Sequence, residues 1–422
     1  MKKFLEINVL DAAKQRVKIV FDNFEKIYIS FSGGKDSSVM THLVMNEAIK
    51  RQRKVGLMFI DLEGQYKMTI EHIHEIINEY KEYLELYWIC LPIALRNAVS
   101  VYQPKWQCWN PDEKKIWVRN PPKEAITDQK YFPFFRRDME FEDFTVDFAK
   151  WYSKGKKTAC FIGIRTDESL NRYRTIKTLK KKMFNGYGWT TQLWESNVYN
   201  IYPIYDWKTR DIWIYNSKYK KKYNQLYDIM HKAGLSIHQQ RICQPYGDDQ
   251  RKGLWLFHVI EPETWSKIVA RVSGANSGAE FVKYSGNASG QIKISKPNNL
   301  SWKKFCEVLL CSMPDNIRDH YENKIYKFIE WHKKNGWTDL NQIRRFDCPD
   351  EADHKAEASR KSPSWRRIAK MLLRNDYWAK GLSFSQTKDG FFYKKYMERV
   401  KKERLARQKK IWATKGDKRA FI

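Results

Sequence analysis

Apolar residues recur at helical spacing over 9–24, where Val9, Leu10, Ala13, Val17, Val20, Phe21 and Phe24 share one face, and a short strand follows over 26–31. A second stripe of Val39, Met40, Leu43, Val44 and Ala48 predicts a helix over 37–51. The run 54–61 is apolar until its final acid, as expected of a parallel strand buried on both faces. A helix over 66–83, a strand over 85–91, a strand over 158–165 and a strand near 200 leading into a helix from Arg210 continue the alternation. Such alternation predicts an α/β fold: an open, mostly parallel sheet with helices on both faces. The region 96–140 loses periodicity and is rich in Trp, Pro and Arg, which marks an insertion or lid.

Beyond 260 the pattern changes. Small-residue clusters at 273–279 and 285–290 predict loops, residues 301–335 return to helix, and 347–363 is polar and acidic, as in a connection. A basic amphipathic helix opens at Trp365, and residues 391–422 hold twelve Lys or Arg against three acids, interleaved with Phe391, Phe392, Tyr393 and Tyr396. The expected organisation is a nucleotide-binding domain over 1–260, an accessory domain over 261–345, and a linker with a mainly helical, basic C-terminal region over 346–422.

Charge narrows the class. The formal net charge of +29 implies a polyanionic partner, nucleic acid first among them. Seven scattered cysteines without a Cys-x-x-Cys pair suit a reducing compartment. An acid at Glu6 precedes any apolar run, so the N-terminus does not read as a signal peptide, and no stretch approaches the roughly 18 apolar residues of a membrane span. The expected location is the cytoplasm.

Chemistry concentrates in Ser32-Gly33-Gly34-Lys35-Asp36-Ser37-Ser38, where a strand passes through two glycines into a helix. Glycines without a Cβ let successive N–H groups turn toward one anion. The helix N-terminus adds further donors and a partial positive charge, and Lys35 adds a full one. The guest such a loop suits is a polyphosphate. Spacing excludes the Walker A pattern. The string resembles the pyrophosphate-binding loop of the ATP pyrophosphatase (PP-loop) superfamily, whose members hold ATP or a sulfonucleotide.

Gly163-x-Arg165-x-x-Glu168-Ser169-x-x-Arg172 resembles a second motif of phosphoadenosine phosphosulfate reductases and their relatives. There Arg165 and Arg172 are suited to grip phosphate or sulfate through planar guanidinium groups. Asp61, at the carboxyl end of the second strand, with Glu63 and Gln65, is expected to face the nucleotide. His72 and His74 read as surface residues, Trp207 and Trp213 as core, and Asp206 as a helix cap. Catalytic roles fall to Lys35, Asp36, Arg165 and Arg172.

The departures from the resemblance are as informative. Cys243-Gln244-Pro245-Tyr246 resembles the Cys-x-Pro-Cys of iron–sulfur sulfonucleotide reductases with Tyr246 in place of the second cysteine, so no iron–sulfur cluster is expected. The Glu-Cys-Gly-Leu-His string that carries the reductase nucleophile is missing from the chain. Residues 1–260 with the region beyond resemble the immunoglobulin-binding regulator A subgroup, and that resemblance implies a ParB-like partner. The leading expectation is an enzyme that takes ATP or a related adenine nucleotide with Mg²⁺ and cleaves it between the α- and β-phosphates. A nucleic-acid-associated regulator using nucleotide as a ligand is the alternative. A sulfonucleotide reductase relying on Cys243 comes third.

Overall fold

The computed structural model describes residues 6–99, 103, 105–178, 181–193, 196–237, 239–247, 254–272, 274–275, 296–313, 315–334, 348–359, 362–373, 376 and 379–384. The basic 391–422 segment, the 285–290 cluster and most of 273–279 lie outside them. The chain divides into two compact units, Met1–Asn287 and Ala288–Ile422. Residues 261–287, expected in an accessory domain, therefore belong to the first unit.

In chain order the first unit runs α1 (Val9–Asn23), β1 (Lys26–Phe31), α2 (Lys35–Lys50), β2 (Val55–Ile60), α3 (Lys67–Tyr80), β3 (Leu84–Ile89), β4 (Ala94–Arg96), β5 (Lys105–Gln107), α4 (Phe141–Ser153), β6 (Thr158–Ile162), α5 (Leu170–Lys177), β7 (Thr190–Gln192), β8 (Val198–Ile201), α6 (Thr209–Lys218), α7 (Leu226–Lys232), α8 (Leu254–Ile260) and α9 (Pro262–Arg271). The main sheet has the order β3-β2-β1-β6-β8-β7. Its first five strands are parallel, and β7 pairs with β8 in antiparallel fashion at the edge. Every residue of β2 is buried, so that strand is covered on both faces, which is what its unbroken apolar run requires.

The chain lays β2 and β3 to one side of β1, then crosses to place β6 and β8 on the other. Strand order reverses between β1 and β6, and ligands of open α/β sheets sit outside the strand ends at such a point. Both motifs singled out in the sequence leave the sheet there.

The β2 rim is closed instead. Asp61 and Glu63 are fully buried, and the 96–140 insertion roofs them. The Asp61 carboxylate accepts from the Trp88 indole at 2.8 Å and pairs with Arg119, while its backbone carbonyl accepts from the Trp109 indole at 2.6 Å. Glu63 accepts from the N–H groups of Trp109 at 2.7 Å and Val118 at 3.0 Å, and from Arg271 Nε of α9 at 2.7 Å. The expectation that these acids face a nucleotide is corrected: their lone pairs are spent on the roof and on α9. Glu63 also has a left-handed φ of 64°, a conformation its four donors hold in place.

Three smaller expectations shift likewise. His72 is buried rather than on the surface. Asp206 pairs with Arg16 at 2.6 Å rather than capping α6, whose N-cap residue Lys208 donates its N–H to the Asp211 carboxylate at 2.7 Å. Trp207 is core, and Trp213 is half-buried.

The second unit contains α10 (Trp302–Cys311), α11 (Asp315–Lys334), α12 (His354–Ala358) and α13 (Trp365–Leu373). One core joins α10, α11 and α13, with Trp302, Cys306, Tyr321, Phe328, Ile368 and Leu372 among its members. Helices expected on either side of a boundary at 346 thus share a single interior. Among the described residues no helix is long and apolar enough to cross a membrane.

Removing Arg271 leaves the buried Glu63 carboxylate without its countercharge, so Arg271→Ala should cost about 3–5 kcal/mol, and Glu63→Ala less, because Arg271 keeps Glu113 at 2.7 Å. Because they remove the same interaction, the double variant should lose less than the two single losses added together. Chemical denaturation followed by near-ultraviolet circular dichroism checks this.

Candidate phosphate site at the strand-order reversal

The loop after β1 is shaped by two close approaches. Gly33 takes a left-handed φ of 71° against α3, where a Cβ would lie 3.1 Å from Thr69. Gly163, at the end of β6, lies so near α2 that a Cβ would sit 2.9 Å from the Ser37 Cα. No other residue fits between strand end and helix start without parting them.

Side chains tie the loop internally. Ser37 Oγ donates to the Gly34 carbonyl at 2.9 Å and meets Ser32 Oγ at 2.9 Å. Ser38 faces inward, within 3.0 Å of the Gly34 carbonyl and 2.8 Å of His72 Nε2. Asn224 donates to the Gly33 carbonyl at 3.3 Å, and the Lys35 N–H donates to the Tyr227 hydroxyl at 3.1 Å.

Beside the loop lies a cavity of about 370 Å³ lined by Ser32, Gly34, Lys35, Asp36, Ser37, Gly163, Arg165, Glu168 and Arg172, together with residues no motif had singled out. At its centre, Asp36 accepts from Arg165 Nε at 2.6 Å and lies 3.2 Å from Lys35 Nζ. Arg165 is buried and also donates to Thr209 Oγ1 at 3.2 Å, with Glu168 and Asp167 each 3.7 Å away. Glu168 pairs with Arg172, which is about half exposed at the cavity's edge. Burial pulls the Lys35 ammonium below its usual pKa against the opposing pull of Asp36. Burial also pushes the Tyr227 phenol well up, so it stays protonated.

Of the expected ligand-binding residues, Gly33, Ser38 and Ser169 serve the scaffold. Gly33 packs on α3, Ser38 bonds His72, and Ser169 caps α5 by accepting from the Arg172 N–H at 3.2 Å. Sequence patterns missed Thr209, Tyr227, Ile237 and Gln240 of the cavity lining. Arg241 and Cys243 stood in a segment singled out for its cysteine, whereas nothing local marks Tyr227. Tyr246 is fully buried, its hydroxyl donating to the Ile268 carbonyl at 3.0 Å and its ring edge-on to Trp106.

The phosphoadenosine phosphosulfate reductase domain matches residues 26–232, and a domain of unknown function (DUF3440) matches residues 234–346. The uncharacterized protein YbdN of Escherichia coli (strain K12) is 42% identical over 402 residues, covering 95% of this chain and 96% of that protein. The chain belongs to the YbdN family.

In this chain the wall residues Ile237, Gln240, Arg241, Ile242 and Cys243 of the cavity come from the segment that follows the stretch matched by the phosphoadenosine phosphosulfate reductase domain. Among solved structures, a phosphoadenylyl-sulfate reductase from Candida auris aligns at 13% identity with a TM-score of 0.28, over 54% of this chain and 93% of that one. The tRNA thiolase NcsA from Methanococcus maripaludis aligns at 14% identity with a TM-score of 0.30, over 71% and 88%. An FMN adenylyltransferase from Candida glabrata aligns at 17% identity with a TM-score of 0.31, over 52% and 57%.

The site also carries a built-in acid sensitivity. Burial pulls the His72 imidazole from its ordinary 6.5 down to about 4, and His42 likewise to about 4. Between those values the unfolded chain binds protons that the folded chain refuses, so stability falls as the pH drops through 6.5 and levels off below 4. Each histidine accounts for up to about 3 kcal/mol of that loss. His72→Gln should make that slope shallower, as read from denaturation midpoints across the window.

Proposed function

We propose that this chain is a PP-loop enzyme that binds ATP or a related adenine nucleotide in the cavity between β1 and β6 and cleaves it between the α- and β-phosphates. The observation that carries this reading is the convergence of Lys35, Arg165 and loop N–H donors on one recess at the point of strand-order reversal. An acceptor oxygen attacks the α-phosphorus, and the bond from that phosphorus to the bridging oxygen breaks. The electron pair leaves with pyrophosphate, and the acceptor's proton passes to solvent at the open rim. Lys35 and the loop donors stabilise charge as it builds on the leaving group, while Arg165 and Arg172 hold the far end or the acceptor.

Asp36, Asp167 and Glu168 offer the hard oxygen donors that Mg²⁺ takes, with the remaining positions filled by phosphates and water. Among the described residues no three His, Cys, Asp or Glu side chains are gathered to hold a metal. Mg²⁺ would therefore arrive with the nucleotide and, when bound, neutralise phosphate charge.

In the free protein Asp36 occupies both Lys35 and Arg165, so an incoming polyphosphate competes with a carboxylate for its cations. Asp36 then either shares those cations or turns to the metal.

The net charge of +29 favours a second reading, a nucleic-acid-associated cytoplasmic regulator for which the nucleotide is a ligand and a ParB-like protein the partner. Labelled ATP separates the two readings. Incubated with Mg²⁺, with and without DNA and the partner, the enzyme releases pyrophosphate, whereas a regulator binds nucleotide unchanged. Release of orthophosphate alone excludes α,β cleavage.

Lys35→Ala should weaken ATP binding by about 10- to 150-fold, the worth of a charged hydrogen-bond partner. Affinity within twofold of the parent would remove the site assignment. Because burial depresses the Lys35 pKa in the free protein, a bound polyanion raises it again, so binding takes up protons at alkaline pH. Affinity is complete below the free-state pKa and falls as the pH rises through it. Calorimetry in buffers of different ionisation enthalpy reads the uptake, and Lys35→Ala abolishes it.

A further inference from the structure

The stretch from Ser169 to Trp194 holds six Lys or Arg and no Asp or Glu, and it begins at the edge of the cavity. It opens with α5, a helix in which Ile176 is the buried residue. Leu170 and Tyr173 are 62% and 47% exposed on that helix, an uncovered apolar pair set among Arg172, Arg174 and Lys177. Arg174 and Lys177 have no carboxylate partner among the described residues, and Lys177 lies over the Tyr205 ring at 5.2 Å. A helix stabilised by its fold has no need of this composition on its solvent side. Elsewhere in the unit Arg51 at the α2 terminus pairs with Glu47 and Asp22, and Lys221 beyond α6 pairs with Glu79.

Arg174 and Lys177, without a carboxylate partner among the described residues and beside exposed π and apolar faces, match a strand with phosphates on one side and open base faces on the other. A duplex hides its base faces in the stack and leaves Leu170 and Tyr173 against charge. An acidic peptide satisfies the cations but has no obligatory partner for Tyr173. At 1.5 Å per residue α5 spans about 12 Å, the length of three or four nucleotides at about 3.4 Å each.

We propose that α5 is the docking surface for a single-stranded nucleic acid, which it directs toward the phosphate cavity. Docking stands on the surface alone. Delivery of an acceptor group to the cavity rests on the reading given under Proposed function. Arg172 joins the two, as it lies on α5 and lines the cavity.

The test uses the full chain and fluorescence anisotropy with labelled oligothymidylate, oligouridylate, a duplex of mixed sequence and a polyglutamate peptide. Single strands should bind more tightly than duplex or peptide, with affinity falling steeply as salt rises, and the DNA and RNA arms tell the two sources apart. Tyr173→Ala should weaken the strand by about 5- to 100-fold through lost stacking. Arg174→Gln with Lys177→Gln should reduce the slope of log affinity against log salt by about 1.4, at about 0.7 for each phosphate no longer neutralised.

All variants should retain ATP affinity within twofold, since none of the three side chains lines the cavity, and far-ultraviolet circular dichroism confirms their fold. Unchanged strand binding in these variants overturns the proposal and places any nucleic-acid docking elsewhere. Tighter binding of duplex or polyglutamate overturns it too. If α5 binds single strands while ATP is neither held nor cleaved, the docking surface stands and the enzymatic reading falls.

Discussion

The site depends on one carboxylate shared between two cations. Asp36 leaves the first turn of α2 and takes Arg165 at 2.6 Å from beyond β6 and Lys35 at 3.2 Å from its own loop. Arg165 and Lys35 are both largely buried, and neither charge is tolerable there without a partner. The pair therefore fixes the ends of β1 and β6 against each other beside the cavity. Gly163 is the steric counterpart of this bond, since the distance Asp36 needs is the distance a Cβ would forbid. The cavity is held ready by charge on one side and by the absence of a methyl group on the other.

A second buried ion network explains why the neighbouring strand end does not contribute. The carboxyl end of a parallel strand is where acids usually meet ligands, yet the 96–140 insertion lowers Trp109, Val118 and Arg119 onto Asp61 and Glu63. Arg271 then closes the network from α9. That pairing also accounts for the extent of the first unit. A helix that contributes a fully buried guanidinium to a fully buried carboxylate cannot be peeled away as a separate domain without leaving both charges stranded. Two stretches matched by different families thereby share one core, and the later one supplies a wall of the cavity.

The legible parts of this fold were those dictated by local periodicity. The apolar run of β2 and the helical stripes of α1 and α2 reported their own burial, and the diglycine loop could be placed because glycine and helix N-terminus are adjacent in sequence. The roles of Asp61 and Glu63 could not be read, because what decides them is an insertion 50 residues on and an arginine more than 200 residues away. Tyr227 was invisible for the same reason: only the close approach of α7 to the loop makes its hydroxyl the acceptor for the Lys35 N–H. His72 looked like a surface residue because periodicity shows which face of α3 is apolar but not that Ser38 waits behind it. The acid-free stretch from Ser169 was available in the sequence, but its meaning lay in exposure, which the pattern does not carry.

The thiols of the chain bear on which chemistry the cavity suits. A nucleophilic cysteine needs its thiolate form, favoured by nearby positive charge and disfavoured by apolar burial. Cys160 and Cys306 are pushed by burial up to about 12, and Cys90 and Cys108 are raised further by the same cause. Cys243 is the cysteine that lines the cavity, in company with Lys35, Arg165 and Arg241. Three residues on, Tyr246 is packed without water between Trp106 and the Ile268 carbonyl, so the second position of a Cys-x-Pro-Cys pair is filled by core. Reduction of a sulfonucleotide would have to proceed through Cys243 without a cysteine at that position. Nucleotidyl transfer asks only for cations and donors around a phosphate chain, and those are what this cavity concentrates.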